Sequence, residues 1–336
     1  MKKKRAQTIN CLFLPEDTLR MNKNDFIRKQ TDNFSFLLNK LVQFQYKKEK
    51  LEVNKKIPEI TDKNKQKIWL QKLQDIVKFV KEKRYNTHFL KEIALDFFSL
   101  TLSWRLAVGL GNPSVYETSM TLHHIYGIPY LPGSAIKGVT RSYRILCMAE
   151  DLKHPNDYYE RVALLEKFDL VEKNEFPKWE EVKKLKVSSP EDKNIEFSEQ
   201  FYKSLEAKQA ELRELQLIFG TQNKQGCIIF FDSFPENFNA EDSEKTCKIK
   251  YDIMNPHYGP YYTEKKPPAD YYNPTPIFFL ALENARFTFY LGAKNRLVAL
   301  EEKEYLLNKV KEWLKKALIH YGIGAKTALS YGLFKN

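Results

Sequence analysis

Apolar and polar residues alternate most clearly in the stretch DFFSLTLSWRLAVGLGNP, which begins at Asp96. Every second position from Phe98 to Leu106 is apolar, and serine, threonine and arginine occupy the positions between them. A period of two is typical of a strand with one face in the core and one polar face. We therefore predict a strand over 97–107, which the turn residues LGNP end.

Helical spacing of apolar positions predicts two long helices further along the chain. The first is expected from about Ser134 to Glu150, with Ser134 as its N-cap after the helix-breaking pair PG. The second is expected over 301–320 and is followed by a last strand from Ala328 to Phe334. The core-facing residues of the second helix are predicted to be Leu306, Val310, Trp313, Ala317 and Leu318.

The remaining parts of the chain have weaker patterns. Between the two helices we expect strands in GCIIFFDSFPE and TCKIKYDIM, and one long strand or a hairpin in IFFLALENARFTFYLGA. The charged, helical stretch 151–215 is interpreted as an insertion outside the core fold, and the Tyr- and Pro-rich stretch 255–276 as a loop. From about Asn24 to Lys91, apolar stripes predict helices that are joined by the charged connector KKEKLEVNKKIPEITDKNKQK.

The order strand, helix, two strands, helix, strand indicates an α+β fold of the ferredoxin-like (RRM-like) type. We assign this domain to 96–336, after a basic and mainly helical N-terminal region, 1–95. In the ferredoxin-like topology the last strand lies antiparallel beside the first. The segments PYLPGSAIKG and GIGAKTALSYG are therefore expected to meet at one edge of the sheet.

The net charge of +12 is unevenly distributed along the 336 residues. Residues 1–91 contain 23 Lys and Arg but 10 Asp and Glu, so all of the positive excess lies in this part. A basic block suits a polyanion such as nucleic acid, and it is equally compatible with a solvated lysine-rich surface.

Several classes of protein are excluded by what the sequence lacks. The four cysteines contain no C-x-x-C pair, so neither a zinc knuckle nor a redox motif is indicated, and we expect no metal and no cofactor. No apolar stretch approaches the roughly 20 residues of a membrane span, and the run CLFL is too short for a signal peptide. We expect a soluble, cytoplasmic protein without a small-molecule substrate.

The stretch YGIGAKTALSYG shares glycine, lysine and threonine with the phosphate-binding loop of nucleotide hydrolases, but it is not such a loop. Ala325 precedes Lys326 where that motif requires glycine, and the loop joins a helix to a strand rather than a strand to a helix. The loop N–H groups and Lys326, together with the N–H groups at the start of the Ser134 helix, suit a phosphodiester backbone instead.

Four further cations are candidates for contact with a polyanion. Lys137, Arg141 and Arg144 form a stripe on one face of the first helix, which either contacts RNA or is a solvated face. Arg105, on the polar face of the first strand, either meets RNA across an open sheet face or is covered by the 151–215 insertion.

Two of these segments resemble a known family. IPYLPGSAIKGVTR and GIGAKTALSYGLF resemble the first-helix motif and the C-terminal glycine-rich loop of the RAMP superfamily, the repeat-associated RNA-binding proteins of CRISPR systems. Together with LHHIYGIPYLPGSAIKG and DIMNPHYGPYY, they are similar to a RAMP subunit of the Cmr complex, the type III-B CRISPR effector of antiviral defence. The resemblance implies a non-catalytic subunit that binds guide RNA and other Cmr subunits and caps a filament of related subunits.

The resemblance also implies a set of contacts. The candidate guide-RNA residues are Gly133, Ser134, Lys137 and Arg141, with Gly322, Gly324, Lys326 and Thr327 behind the same strand. Target RNA is a second candidate ligand. The tyrosines of 255–276 either stack on bases or pack within the loop.

Two other functions remain open on sequence. His123 and His124 fit a metal-independent RAMP endoribonuclease that processes precursor guide RNA, with an imidazole as general base. Adjacent histidines usually point apart, however, and no second acid–base group lies near them. Asp232 and Asp252 follow predicted strands and are interpreted as turn or cap residues. The other alternative is a protein-only assembly cap whose basic N-terminus serves solubility.

Overall fold

The structure is a computed structural model that describes residues 44–47, 50–53, 88–114, 118–152, 158–167, 178–184, 186–188, 194–221, 224–236, 246–255, 259–268, 271–272, 276–294 and 300–336. Most of the helices expected between Asn24 and Lys91 lie outside these residues. None of the described helices is long and apolar enough to cross a membrane.

The described strands are β1 (Phe44–Lys47), β2 (Lys50–Val53), β3 (Asp96–Leu102), β4 (Arg105–Leu106), β5 (Lys186–Ser188), β6 (Asn194–Glu196), β7 (Ile228–Phe230), β8 (Lys248–Met254), β9 (Ile277–Glu283), β10 (Arg286–Ala293) and β11 (Phe334–Lys335). The described helices are α1 (His88–Ile93), α2 (Gly133–Asp151), α3 (Tyr158–Lys167), α4 (Trp179–Val182), α5 (Glu199–Ala207), α6 (Gln209–Phe219), α7 (Gly259–Glu264) and α8 (Leu300–His320), and a 3-10 turn spans Thr327–Leu329.

A four-stranded antiparallel sheet has the strand order β11-β3-β10-β7. Phe98 lies opposite Phe289, and Leu102 lies opposite Phe334, so the last strand neighbours the first, as the sequence predicts. All four of these side chains are buried, because the period of two places them on the face that the long helices cover. The predicted α+β class is confirmed.

A smaller antiparallel sheet has the order β4-β9-β8. The predicted strand 97–107 divides at Ser103 and Trp104, because β3 stays in the first sheet whereas β4 pairs with β9. The stretch IFFLALENARFTFYLGA is neither one strand nor a hairpin, because β9 belongs to the smaller sheet and β10 to the larger. The chain changes sheets at Asn284, whose φ of 57° is left-handed.

Helices α2 and α8 pack against each other and share one hydrophobic core with the four-stranded sheet. The prediction for α8 is confirmed for four of its five core-facing positions, since Leu306, Val310, Ala317 and Leu318 are buried. Trp313 is partly buried against the same core.

The stretch 151–215, predicted to be an insertion outside the core fold, contributes side chains to the hydrophobic core. Leu164 of α3, Phe201 of α5 and Leu212 of α6 are buried in the same cluster as the apolar face of α2. A short helix with one apolar face is stabilised only by burying that face, and α2 offers the surface for it. The insertion therefore encloses the outer side of α2.

The other face of the four-stranded sheet is covered over its central part. Tyr290, on that face of β10, packs with Leu90 of α1 and with Ile128 and Phe234 from two connecting segments. Nucleic acid therefore has no open sheet platform at the centre of this face. An open sheet face was one of the two alternatives that the sequence left for Arg105.

Three local predictions are wrong. Strands β1 and β2 form a hairpin where a helix end and a charged connector were expected, because apolar and polar residues alternate there. Part of the predicted 255–276 loop is α7, in which Pro260 occupies the first turn, where proline costs no intrahelical hydrogen bond. The last strand is Phe334–Lys335 rather than Ala328 to Phe334, because turns extend to Gly332.

Candidate nucleic-acid interface

The start of α2 is held against β7. The backbone N–H of Gly133 donates a hydrogen bond to Asp232 Oδ1 at 2.7 Å. Pro132 is the N-cap instead of the predicted Ser134, which is exposed. A Cβ on residue 133 would lie 2.2 Å from the carbonyl oxygen of Phe230, so only glycine allows this approach. The helix N-terminus that we expected to bind phosphate thus already has a carboxylate, and the cap interpretation of Asp232 is confirmed.

Lys137 lies near this end of α2, close enough to Arg141 and to Lys294 to feel the charge of each, and the three are here called the α2 cation cluster. Burial lowers the pKa of Lys137, and the positive charges of Lys294 and Arg141 lower it further. Arg141 donates to the backbone carbonyl of Glu166 at 3.4 Å. Within the described residues no carboxylate pairs with any of the three. Unpaired like charges repel, so an anion placed among them is stabilised.

Arg144 lies on the same stripe in the sequence but is not part of this cluster. Its guanidinium forms an ion pair with Glu211 of α6 and lies 5.2 Å from the centre of the Trp313 ring. The Arg144 side chain is only 17% exposed. Arg144 therefore connects α2 to α6 and α8 and is not available to a polyanion.

Arg105 is committed to carboxylates of the smaller sheet. Its Nη1 lies 2.5 Å from Asp252 Oδ2, and its Nε lies 3.1 Å from Glu283 Oε1. These partners come from β8 and β9 and not from the 151–215 insertion, whose cover was one of the two alternatives for Arg105. Asp252 lies inside β8, so its interpretation as a turn or cap residue is also wrong.

The Asp252 carboxylate has a second partner in the glycine-rich loop, the hydroxyl of Tyr331, which donates to Oδ2 at 2.5 Å. Burial raises the pKa of Asp252, but the hydrogen bonds from Tyr331, Arg105 and the backbone N–H of Ile253 outweigh burial, so the pKa is lowered overall. Burial and the bond to Asp252 raise the pKa of Tyr331 to about 12. At neutral pH the pair is therefore a carboxylate and a neutral phenol.

The glycine-rich loop, residues 321–332, packs its backbone against β4. The N–H of Ala325 donates to the carbonyl of Ala107 at 2.8 Å, and the N–H of Gly332 donates to that of Arg105 at 2.7 Å. A Cβ at Gly324, where φ is 95°, would lie 2.4 Å from the Ala107 oxygen. The glycines thus permit close packing within the protein, and these N–H groups do not face a phosphate. Gly322 is buried, whereas Gly324 is exposed.

Lys326 is the cation of this loop. Its φ is 62°, and its ammonium lies 3.9 Å from the sulfur of Met254 and 5.4 Å from the centre of the Phe279 ring. No carboxylate of the described residues forms an ion pair with it. Thr327 is half-buried at the start of the 3-10 turn. Four residues of this loop were predicted to bind RNA. Lys326 is the charged residue of the four, and its charge has no carboxylate partner among the described residues.

The start of α2 and the glycine-rich loop do not meet, contrary to the prediction. Gly133 contacts β7, whereas the loop leads into β11, and these strands are the opposite edges of the sheet, about 14 Å apart. The reason is the long connection after β4. Leu131 pairs with Ser233 beside β7, so the chain has already crossed the sheet before α2 begins. The two segments form separate cationic positions instead of one cradle.

The two histidines have different surroundings. The His123 ring stacks on Tyr126 at 4.7 Å between centroids and makes edge contacts with Tyr130 and Phe234. Burial is the main cause that lowers the pKa of His123, and His124 lowers it further. The charge of Asp232 raises this pKa but does not outweigh them. His123 is therefore a packed, neutral residue at physiological pH, whereas His124 is exposed.

Lys294 is a member of the α2 cation cluster that the sequence did not indicate. It follows β10 and belongs to no motif. The end of β10 pairs with β7, and α2 packs on β7, so the tertiary fold brings Lys294 near Lys137. The described residues contain no group of three potential metal ligands.

The protein is thus an α+β protein with an antiparallel sheet, two long helices and a glycine-rich loop that packs against β4. It has two separate cationic positions. The family model of the RAMP superfamily matches residues 100–335, and the chain belongs to this superfamily. The resemblance inferred from the first-helix motif and the glycine-rich loop is thereby confirmed.

Particular relatives are Cmr proteins. The chain is 40% identical over 235 residues to the CRISPR system Cmr subunit Cmr6 of Pyrococcus furiosus, and the match covers 68% of this chain and 64% of that relative. The crystal structure of Cmr6 from Pyrococcus furiosus aligns at 36% identity over 72% of this chain and 97% of the other, with a TM-score of 0.42. A cryo-EM structure of the type III-B Cmr-beta bound to cognate target RNA aligns at 17% identity over 83% and 77% of the two chains, with a TM-score of 0.41.

Proposed function

We propose that the chain is a non-catalytic RNA-binding subunit of a type III-B CRISPR (Cmr) effector complex. In this role it binds the backbone of the guide RNA, contacts neighbouring Cmr subunits and caps the filament of related subunits in antiviral defence. The observation that carries the proposal is the 40% identity to Cmr6 over 235 residues. The capping role rests on this resemblance.

Unpaired cations support the assignment of the RNA contacts. The α2 cation cluster holds three positive charges without a carboxylate partner among the described residues, and Lys326 is a fourth. Cations that are already packed together gain most from an anion with several charges, such as a phosphodiester chain. We assign phosphate contacts to Lys137, Arg141, Lys294 and Lys326, with Ser134 as an exposed hydroxyl beside the cluster.

The separation of the two cationic positions suggests how the RNA runs. A single phosphate does not reach from one edge of the four-stranded sheet to the other. We infer that a single strand of several nucleotides passes from the α2 cation cluster to Lys326. Target RNA then reaches the subunit through its pairing with the guide.

The fold and organisation fit this proposal. We assign the order β3, α2, β7, β10, α8, β11 to the ferredoxin-like type and residues 96–336 to the RAMP domain. The basic N-terminal region, 1–95, serves as a further contact to RNA or to a neighbouring subunit. The complex acts in the cytoplasm.

The test is to coexpress the chain with its Cmr partner subunits, purify the assembly through a tag on a partner, and analyse the RNA that it retains. We expect small RNAs of uniform length. The variant Lys137→Glu, Arg141→Glu, Lys326→Glu is expected to lower RNA recovery severalfold while the protein subunits still copurify, because removal of each cation that neutralises a phosphate weakens binding. The matched control is Lys316→Glu, an exposed lysine on the outer side of α8.

Two results would oppose the proposal. RNA recovery that is unchanged in the triple variant would favour a protein-only assembly cap. Failure of the unmodified chain to copurify with the Cmr subunits would contradict the assignment to this complex.

A further inference from the structure

The face of the molecule between the glycine-rich loop and the smaller sheet contains a groove of about 730 Å³. Its walls include Trp104, Ile253, Met254, Lys326, Leu329 and Tyr331, and it is called the Trp104 groove below. Three of these large apolar side chains remain exposed together: Trp104 at 45%, Ile253 at 48% and Leu329 at 61%. Single exposed apolar residues are common, but a concave group of them marks a binding surface.

The groove has an aromatic surface that is held in place from below. The Trp104 ring lies 4.8 Å from the Tyr331 ring and 5.2 Å from the guanidinium of Arg105. Both of these partners are anchored by the same carboxylate oxygen, Asp252 Oδ2, at 2.5 Å. Because Asp252 fixes Tyr331 and Arg105, the indole presents a preorganised surface to a ligand.

The groove also contains a positive charge that its own walls do not neutralise. The nearby carboxylates of Asp252 and Glu283 are paired with Arg105. Lys326 has instead the sulfur of Met254 and the ring of Phe279 as neighbours. The amide side chain of Asn255 is the remaining polar group of the lining.

A ligand that suits these groups has a flat, largely apolar part and an adjacent negative charge. An apolar side chain from a protein partner would fill the groove but would leave the Lys326 ammonium without water and without a counterion, which is costly. A nucleobase provides the flat part, and the phosphate linked to it provides the charge. We propose that the Trp104 groove binds one unstacked base of a single-stranded RNA, with the base on Trp104 and its phosphate at Lys326.

This inference rests on the proposed function, since it names the part of the RNA that the glycine-rich side of the molecule recognises. It adds a contact to a base where the proposed function requires contacts to the backbone alone. Because every base has a flat face, the groove is expected to accept different bases.

The test is a cycle that combines a protein change with an RNA change, measured by fluorescence anisotropy on the full chain at low salt. The probes are a labelled single-stranded oligouridylate and an abasic ribose-phosphate oligomer of the same length. The unmodified chain is expected to bind oligouridylate about tenfold more tightly than the abasic oligomer. Trp104→Ala is expected to remove most of this preference, and Trp104→Phe to retain much of it. Tyr159→Ala, which removes an aromatic ring that is 77% exposed on α3, is the matched control.

The outcomes separate the groove from the proposed function. Equal binding of the two oligomers by the unmodified chain would overturn the base site and leave backbone binding intact. No binding of either oligomer would contradict RNA binding itself. If Trp104→Ala and Trp104→Phe kept the full preference for oligouridylate but weakened association with purified Cmr subunits, the groove would be a protein-docking site and the proposal would be wrong.

Discussion

The carboxylate of Asp232 accepts a hydrogen bond from the backbone N–H of Gly133 at 2.7 Å, although 99 residues separate the two in sequence. Asp232 follows β7 of the four-stranded sheet, so this contact caps α2 from the segment just after that strand. It also places a negative charge where the helix N-terminus would otherwise attract a phosphate. In the proposed function, the cationic side chains further along α2 are therefore the positions from which this helix would contact RNA.

Replacement of Asp232 is expected to destabilise the fold. Asp232→Ala should lower the free energy of unfolding by about 1–2 kcal/mol, because the first N–H of α2 loses its charged acceptor. The measurement is urea denaturation followed by circular dichroism. Glu304→Ala, at an exposed position on α8, should change stability by less than about 0.5 kcal/mol. Equal stability of both variants would show that the contact does not hold the helix.

The charges of α2 are expected to divide into two kinds. Lys137→Glu should weaken RNA binding and reduce the salt dependence, the slope of log K against log salt, by about 0.7 for each phosphate that the variant no longer neutralises. Arg144→Ala should leave that slope unchanged but lower the unfolding free energy, because the partner Glu211 loses its charge pair. Binding titrations at several salt concentrations measure the first effect and denaturation the second. An altered slope for Arg144→Ala, or none for Lys137→Glu, would contradict this division.

Asp252 is expected to make stability depend on pH. Because its folded-state pKa is lowered, the carboxylate stabilises the fold above its unfolded pKa of about 3.9, and this contribution is lost as the pH falls through the folded pKa. Asp252→Asn should therefore be less stable than the unmodified chain by about 1–3 kcal/mol at pH 7. The difference should shrink below about pH 4. Denaturation curves across this range test it, and a difference that does not vary with pH would count against the carboxylate's role.

His123 is expected to serve packing rather than catalysis. Labelled precursor guide RNA incubated with the purified chain in EDTA should remain intact on a denaturing gel. His123→Ala should lower thermal stability, because the ring contacts three aromatic side chains, and His124→Ala is the neighbouring control. Specific cleavage by the unmodified chain that either variant abolishes would instead support the endoribonuclease alternative.

The sequence predicted those elements whose signal is local. Strand β3 and helices α2 and α8 appear within one or two residues of their predicted bounds, apart from the division after Leu102, because burial of one face imposes a period on each of them. The pairing of β11 with β3 also followed from the order of elements alone. The cap residue of α2 was mistaken, because a remote carboxylate made a local side-chain cap unnecessary.

The candidate site was harder to predict because its geometry depends on long connections. Strand periodicity continues through Ser103 and Trp104, so the sequence does not reveal that the chain changes sheets there. The segment after β4 carries the chain across the sheet, and this separates Ser134 from Lys326. Arg105 and Arg144 have the spacing of surface cations, and only the tertiary packing shows that carboxylates of other elements pair with them.

Mapping of the sites at which guide RNA crosslinks to this subunit tests the account most directly. The purified Cmr assembly would be irradiated and digested, and the crosslinked peptides would be identified by mass spectrometry. We predict crosslinks in the two peptides that contain Lys137 with Arg141 and Lys326. Two results would contradict the claim that these cations contact the guide RNA. One is crosslinks confined to other parts of the subunit, and the other is no crosslink to this subunit in an assembly that retains its guide RNA.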